Sequence, residues 1–446
     1  MSLNKRILII MFPERGALNA SFMLAKGLMR EGFTVVYLTN SAYINYVSDQ
    51  GFECVLFELE PFYNNLNNIY NDIRVSSTSR ISKWMMTLKL LMQRNARLEE
   101  YLETAISEVV STPVAGVLLD PIMMNCSIPF IKRSIPILHL NTTFAYTMNR
   151  FCLPVFSKDL PHARNNFITQ CQVLWTWFQL IREVLVKDIK WNLRHGFVPT
   201  RTFNTGKSKI NKYGHRTRWG EYGYRLRCPE LVLAPRELDF MTIADDKKRC
   251  YVGSSVFANR NDGPFDIDAK GKSILYCSLG TYSQHCQLNT KVFYSVIDLI
   301  RHFPNWIAVI QIGNIQIPED TLPSNVILKK MVPQMQMLEK ATIALVHGGC
   351  SSLKECVFTG TPMILVPWNN DGFGNSARAV FHRLGVRIDI NSISLLTLRK
   401  AFEEVLSNTE IQQSVRNMQR IFVKQENCDE GINYIKNYLT ILNKEI

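Results

Sequence analysis

The stretch that most constrains this chain is "ATIALVHGGCSSLKECVFTGTPMILVPW", residues 341–368. "TIALV" is β-branched and apolar, so it reads as a buried strand. Leu353, Cys356, Val357 and Gly360 then fall on one helical face. Gly360 stands where a helix C-cap belongs and Pro362 follows it, before "MILVP" resumes as a strand. This is the strand–helix–strand unit of a parallel sheet. Its first turn leaves backbone N–H groups free at the positive end of a helix dipole, with Gly348 and Gly349 allowing close approach. His347, Cys350, Ser351 and Ser352 surround that turn, and the hydroxyls and imidazole are hydrogen-bond donors. The local chemistry suits a phosphate or diphosphate; a plain βα turn with a Ser N-cap is the simpler alternative.

The same pattern runs through the chain. "RILIIMF", "FTVVYLT", "GFECVLFEL", "VAGVLLD" and "PILHLN" alternate with helical stretches in the first half. "SILYCSLG", "WIAVIQIG", "VILKKMV", "TIALVHGG" and "MILVPW" do so in the second. Such alternation predicts two doubly wound α/β domains, each with a parallel sheet. At 446 residues one core is not enough. The expected division is an N-terminal Rossmann-like domain over 1–255, a linker over 256–270 where Asn, Asp and Gly accumulate, and a second Rossmann-like domain over 271–415. Helices over 416–446 are expected to pack back on the first domain. Residues 60–110 and 142–230 read as helical and irregular insertions that shape a pocket. Two facing sheets place a cleft at their strands' carboxyl ends, where "HGGCSS" and "SLGT" (Ser278, Gly280, Thr281) both lie.

The net charge of +13 favours acidic partners. Eleven scattered cysteines without a C-x-x-C pair argue for reduced thiols rather than a disulfide frame or a zinc site. No run is long and apolar enough for a membrane span, and the N-terminal apolar run reads as a first strand, so a cytoplasmic protein is expected.

The spaced series Pro333-Gln334, His347-Gly348-Gly349, Ser352, Glu355, Gly360, Pro362, Pro367, Asp371 and Asn375 resembles the nucleotide-sugar signature of the UDP-glycosyltransferase and bacterial macrolide glycosyltransferase family. The likeness extends to "G-x-x-N" at Gly16–Asn19 and to "LVLAPRELDF". It implies the GT-B architecture of two facing Rossmann-like domains. It also implies an inverting transfer from a nucleotide-diphosphate sugar, with UDP as the expected carrier, to a small apolar or amphipathic acceptor, without a metal. The second domain is then the donor site: Met331, Val332 and Gln334 at the base, His347, Gly349, Ser351 and Ser352 at the diphosphate, Glu355 at the ribose, Asp371, Gly372 and Asn375 toward the sugar. Three positions depart from the pattern. Met331 stands where the family often has Trp, Gly372 where it usually has Gln, and Ala17 where many relatives have the His that acts as base.

That leaves the base open between Asp120, which ends the strand "VAGVLLD", Glu14 beside Gly16, and an acceptor acidic enough to need none. His139 in "ILHLN" ends another strand and is either a core histidine or an acceptor contact. The basic stretch 194–227 reads as a solvated loop, a lid for an acidic acceptor or a dock for an anionic membrane; no nucleic-acid motif accompanies it. Two other functional readings remain. One is a membrane-peripheral transferase acting on a lipid or polyprenyl acceptor, the other a non-catalytic relative that binds a partner enzyme.

Overall fold

A computed structural model describes residues 5–59, 80–144, 148, 152–161, 167–195, 210–220, 223–240, 249–263, 265–269, 271–280, 287–318 and 322–445. Fifteen strands are present among them. The first domain contributes β1 (Arg6–Ile10), β2 (Thr34–Thr39), β3 (Glu53–Leu56), β4 (Gly116–Leu119) and β5 (Ile137–Asn141). A hairpin of β6 (Thr217–Gly220) and β7 (Gly223–Leu226) follows, then β8 (Glu230–Val232) and β9 (Arg249–Tyr251). The second domain carries β10 (Ser273–Ser278), β11 (Trp306–Gln311), β12 (Val326–Lys329), β13 (Ile343–Val346), β14 (Met363–Leu365) and β15 (Gly385–Arg387).

The strands form two parallel sheets, ordered β3-β2-β1-β4-β5-β8-β9 and β12-β11-β10-β13-β14-β15. Central strands such as β1, "ILII" after its leading Arg6, and β13, "IALV", are apolar on both faces because helices cover both sides. In each sheet the chain winds one way from the first strand and then reverses. The reversals fall between β1 and β4 and between β10 and β13. The loops after those four strands therefore open a crevice in each domain, and the two crevices face each other. This is the GT-B arrangement.

Some segments differ from the expectation. "CPELVLAPRELDF", read as a join, contains β8, which pairs in parallel with both β5 and β9 and is only three residues long. "VILKKMV" stops as a strand at Lys329, which frees Met331 and Val332 to sit in a loop. The basic stretch holds the β6–β7 hairpin, while residues 196–209 and 221–222 lie outside the described residues.

The chain crosses back at its end. Helix Thr409–Lys424 buries Ile411, Val415, Met418 and Phe422 in the second core, whereas helix Asp429–Glu445 buries Ile432, Ile435 and Leu439 in the first. A Cβ on Gly27 would stand 2.3 Å from Ile432 Cδ1, so that glycine lets the last helix seat on helix Arg15–Arg30.

Buried polar groups join the halves. Arg378, wholly buried on helix Gly372–Phe381, donates from Nε to Asp239 Oδ1 at 2.7 Å. Its guanidinium also lies over Phe144 and Phe240, at 4.5 and 4.3 Å from the ring centroids. Removing one partner strands a buried charge. Arg378→Met is therefore expected to lower the unfolding free energy by about 3–5 kcal/mol, read by chemical denaturation.

Candidate active site

Two helix N-termini converge on the crevice. Helix Arg15–Arg30 follows β1 and helix Cys350–Thr359 follows β13; neither has a side-chain cap at its N-cap residue, Glu14 and Gly349 respectively. At the second helix the Cys350 N–H faces the Asp371 carboxyl; the other first-turn N–H groups are left for another acceptor. The termini touch through Ser351 Oγ, which donates to the Gly16 carbonyl at 2.7 Å. Both dipoles present their positive ends to one space. That space is a cleft of about 430 Å³. Of the residues singled out from the sequence, Glu14, Gly16, Ala17, Asp120, Ser278, Gly280, Met331, Val332, Gln334, His347, Gly349, Cys350, Ser351, Ser352, Glu355 and Asp371 line it. Helix Cys350–Thr359 ends on Gly360 at φ 74°, the left-handed cap that the sequence suggested.

The His347 ring stands between two glycines. A Cβ on Gly280 would lie 2.7 Å from its Cε1, and one on Gly349 2.5 Å from its Nε2. Any side chain at either position pushes the imidazole out of place. Burial lowers the ring's pKa to about 4, only partly opposed by the Ser278 backbone. At neutral pH it is an uncharged N–H donor.

One turn further along, Glu355 is buried, with three hydrogen bonds to its carboxylate. Arg260 Nη1 and Nη2 donate to its Oε1 and Oε2 at 2.5 and 3.2 Å, and Gln334 Nε2 donates to Oε2 at 2.6 Å. Gln334 also reaches Ser352 Oγ at 3.2 Å and accepts from Tyr276 at 3.2 Å. Its amide is therefore turned along the helix rather than outward at a base. Met331 is half exposed at the cleft rim, and Val332 is fixed by its N–H to Gln311 Oε1 at 2.9 Å.

Asp371 is held by Asn375 Nδ2 at 2.8 Å, and Asn375 Oδ1 accepts from Thr143 of the first domain at 3.2 Å. Burial pushes the Asp371 carboxyl up. Asn375 is wholly buried and stands behind the cleft, so it positions Asp371. Gly348 and Gly372 also lie behind it. A Cβ on Gly372 would meet the His347 carbonyl at 2.8 Å, and one on Gly348, at φ 81°, would meet Ser376 Oγ at 2.3 Å. The absence of a side chain at 372 is thus a packing requirement of the loop that carries His347.

On the first-domain side, Asp120 ends β4 and caps the short 3₁₀ helix Pro121–Cys126, accepting from Ile122 N at 2.9 Å. Phe12 N donates to its other oxygen at 3.3 Å. Burial raises its pKa from 3.8 to about 6, against those two bonds and the Arg225 charge. Ala17 and Asp120 both line the cleft. Glu14 lines the same rim.

Other candidates lie elsewhere. His139 is wholly buried in β5, with neither ring nitrogen partnered among the described residues and its pKa lowered by burial to about 4. It does not line the cleft. Thr281 lies outside the described residues, and the described part of 194–227 does not line the cleft. Sequence reasoning passed over Arg260, Asp262, Gln311, Thr143 and Trp368, which reach the site from loops and a strand end.

Residues 274–428 match the family model described as UDP-glucoronosyl and UDP-glucosyl transferase. The match lies within the second domain. The chain is 26% identical to the NDP-glycosyltransferase YjiC of Bacillus subtilis over 44% of its own length and 50% of the relative's. It spans about half the length of the curated relatives it matches. The whole fold resembles the glycotransferase of kitacinnamycin, with TM-score 0.66 and 20% identity, over 98% of this chain and 99% of that one. It also resembles the glycosyltransferase VinC in complex with DTDP, with TM-score 0.59 and 15% identity, over 97% of this chain and 100% of that one.

On the first-domain side, the buried Asp120 carries a cost to stability. Its folded pKa lies above that of the unfolded chain, so its proton is bound more tightly in the native state. Stability is then lost as pH rises from about 4 through about 6. Asp120→Asn keeps one acceptor and removes that charge. It is expected to raise the unfolding free energy at pH 8 by about 1–2 kcal/mol, with the gain gone at pH 4, in paired denaturation curves.

Proposed function

We infer that the protein moves a sugar from a nucleotide-diphosphate sugar to the hydroxyl of a small apolar or amphipathic acceptor, with inversion and without a metal. The observation that carries this reading is the convergence of two uncapped helix N-termini on a cleft whose opposite wall holds Asp120. The diphosphate sits at the helix ends, where the first-turn N–H groups of both helices and the neutral His347 donate to it. These groups and Arg15, which also lines the cleft, meet the charge that grows on the leaving diphosphate. Asp371 faces the sugar. The acceptor lies against Phe12 and Ile122 on the first-domain side, with Phe156, which packs on the second core, also lining the cleft.

Asp120 takes the acceptor's proton directly as its oxygen attacks the anomeric carbon from the face opposite the diphosphate. A carboxylate with a pKa near 6 is ionised at neutral pH and still basic enough to assist. No histidine is needed between them. The match of residues 274–428 and relatives named as NDP-glycosyltransferases support the donor class. The kitacinnamycin neighbour supports a natural-product acceptor.

A lipid-borne acceptor is the second reading, and one surface favours it. The outward side of helix Phe167–His195 exposes Leu174, Trp175, Phe178 and Ile189, with Lys187 and Lys190 nearby. An apolar and basic helix face of this kind suits an anionic interface. Among the described residues no helix is long and apolar enough to cross a membrane. Co-sedimentation with anionic vesicles, lost in Trp175→Glu, would favour it; no sedimentation leaves the small-acceptor reading.

Thermal shift with UDP, dTDP and GDP is the primary test, with stabilisation by at least one expected and none contradicting the reading. With a transferable donor, Asp120→Asn is expected to cost about 10²–10⁴ in kcat, and wild-type kcat/KM to fall about tenfold per pH unit below pH 6.

A further inference from the structure

Arg260 belongs to the segment between the domains and to neither sheet. Its guanidinium forks onto both oxygens of Glu355, at 2.5 and 3.2 Å, and Gln334 adds a third bond at 2.6 Å. An ionised carboxylate offers about four lone-pair sites. Three are occupied, and the remaining one is on Oε1, the oxygen that takes a single bond.

The fork is held from behind. Arg260 Nε bonds Asp262, and the two side chains are only 4% and 8% exposed. Asp262 also accepts from Tyr46 at 3.3 Å and lies 3.7 Å from Arg15. The neighbouring Asn261 exchanges two bonds with Gln50 of the first domain, at 2.8 and 3.2 Å. Moving Arg260 aside strands buried carboxylates on both sides of it.

Glu355 lies five residues from the start of its helix, about 7 Å along the axis at 1.5 Å per residue. With the diphosphate at the helix end, the nucleoside's sugar comes over Glu355. A ribose brings two adjacent hydroxyl protons, and Glu355 has one acceptor site left. A 2′-deoxyribose brings one.

We propose that Arg260 makes this donor site selective for a 2′-deoxyribonucleoside diphosphate sugar. The 3′-hydroxyl donates to Glu355 Oε1. A 2′-hydroxyl oxygen can accept from a remaining guanidinium N–H, but with Oε1 taken by the 3′-hydroxyl its own proton finds no free carboxylate site. Arg260 is a specificity-determining residue that acts by occupying Glu355. The proposal rests on the donor-site reading above.

Calorimetric titration of the full chain with the pairs UDP/dUDP and GDP/dGDP tests it, since each pair differs only at the 2′ position. In whichever pair binds, the deoxy member is expected to bind on the order of tenfold tighter. Arg260→Lys, whose single ammonium cannot fork, is expected to bring that ratio toward one. Equal or tighter binding of the ribose member by the wild type overturns the selectivity and leaves the donor site standing. An unchanged ratio in a folded Arg260→Lys overturns the role of Arg260; if that variant does not fold, the wild-type ratio decides. Binding of no nucleotide overturns this proposal and the donor-site reading together.

Discussion

Two helix dipoles meeting head to head would repel unless an anion lay between them. In this chain the N-termini of helices Arg15–Arg30 and Cys350–Thr359 are brought to contact through Ser351 and the Gly16 carbonyl, and neither N-cap residue supplies a side-chain cap. Each terminus sits at the switch point of its own parallel sheet, so the topology itself forces the encounter. The rest of the site follows from that constraint. Glycines at 280 and 349 leave room for an imidazole beside the gap, and the neutral state of that imidazole lets it donate without adding a desolvated charge.

The encounter is held by buried polar bonds that cross between the domains. Arg378 reaches Asp239, Thr143 reaches Asn375, and Lys354 donates to the Leu233 and Ser255 carbonyls. Helix Asp429–Glu445 adds an apolar seam by packing in the first domain's core. Several of these bonds end within a residue or two of the cleft. The groups that align the domains therefore also align the site, and Asn375 does both by fixing Asp371.

Much of this was legible in the amino-acid order, and the reason is periodicity. The unit around "VHGGCSSLKECVFTG" declares itself through a β-branched run, a helical face and a left-handed glycine, and most of the residues spaced from it line one cleft, with Gly348, Gly372 and Asn375 behind it. What was not legible depends on distance rather than spacing. Arg260 and Asp262 sit in an Asn-, Asp- and Gly-rich stretch that reads as linker, and only the fold brings them to Glu355. β8 is three residues long and hides in a proline-flanked segment. Gly372 reads as a missing contact; the His347 carbonyl 2.8 Å from its would-be Cβ shows why no side chain fits. His139 reads as a strand end just as Asp120 does, yet it sits in the middle of β5 and does not line the cleft.

The site also shows a trade. Where Ala17 leaves the crevice open, Asp120 keeps a carboxyl buried at the end of β4, at a cost to stability above pH 6. Natural sites retain such costs where a reactive group is needed. The central claim is that the paired helix ends hold a diphosphate facing that carboxyl. A crystal structure with a bound nucleoside diphosphate measures it most directly. The β-phosphate is expected within hydrogen-bond reach of the first-turn N–H groups at residues 350–352 and of His347, with Asp120 across the cleft. A diphosphate bound away from both helix ends would contradict it.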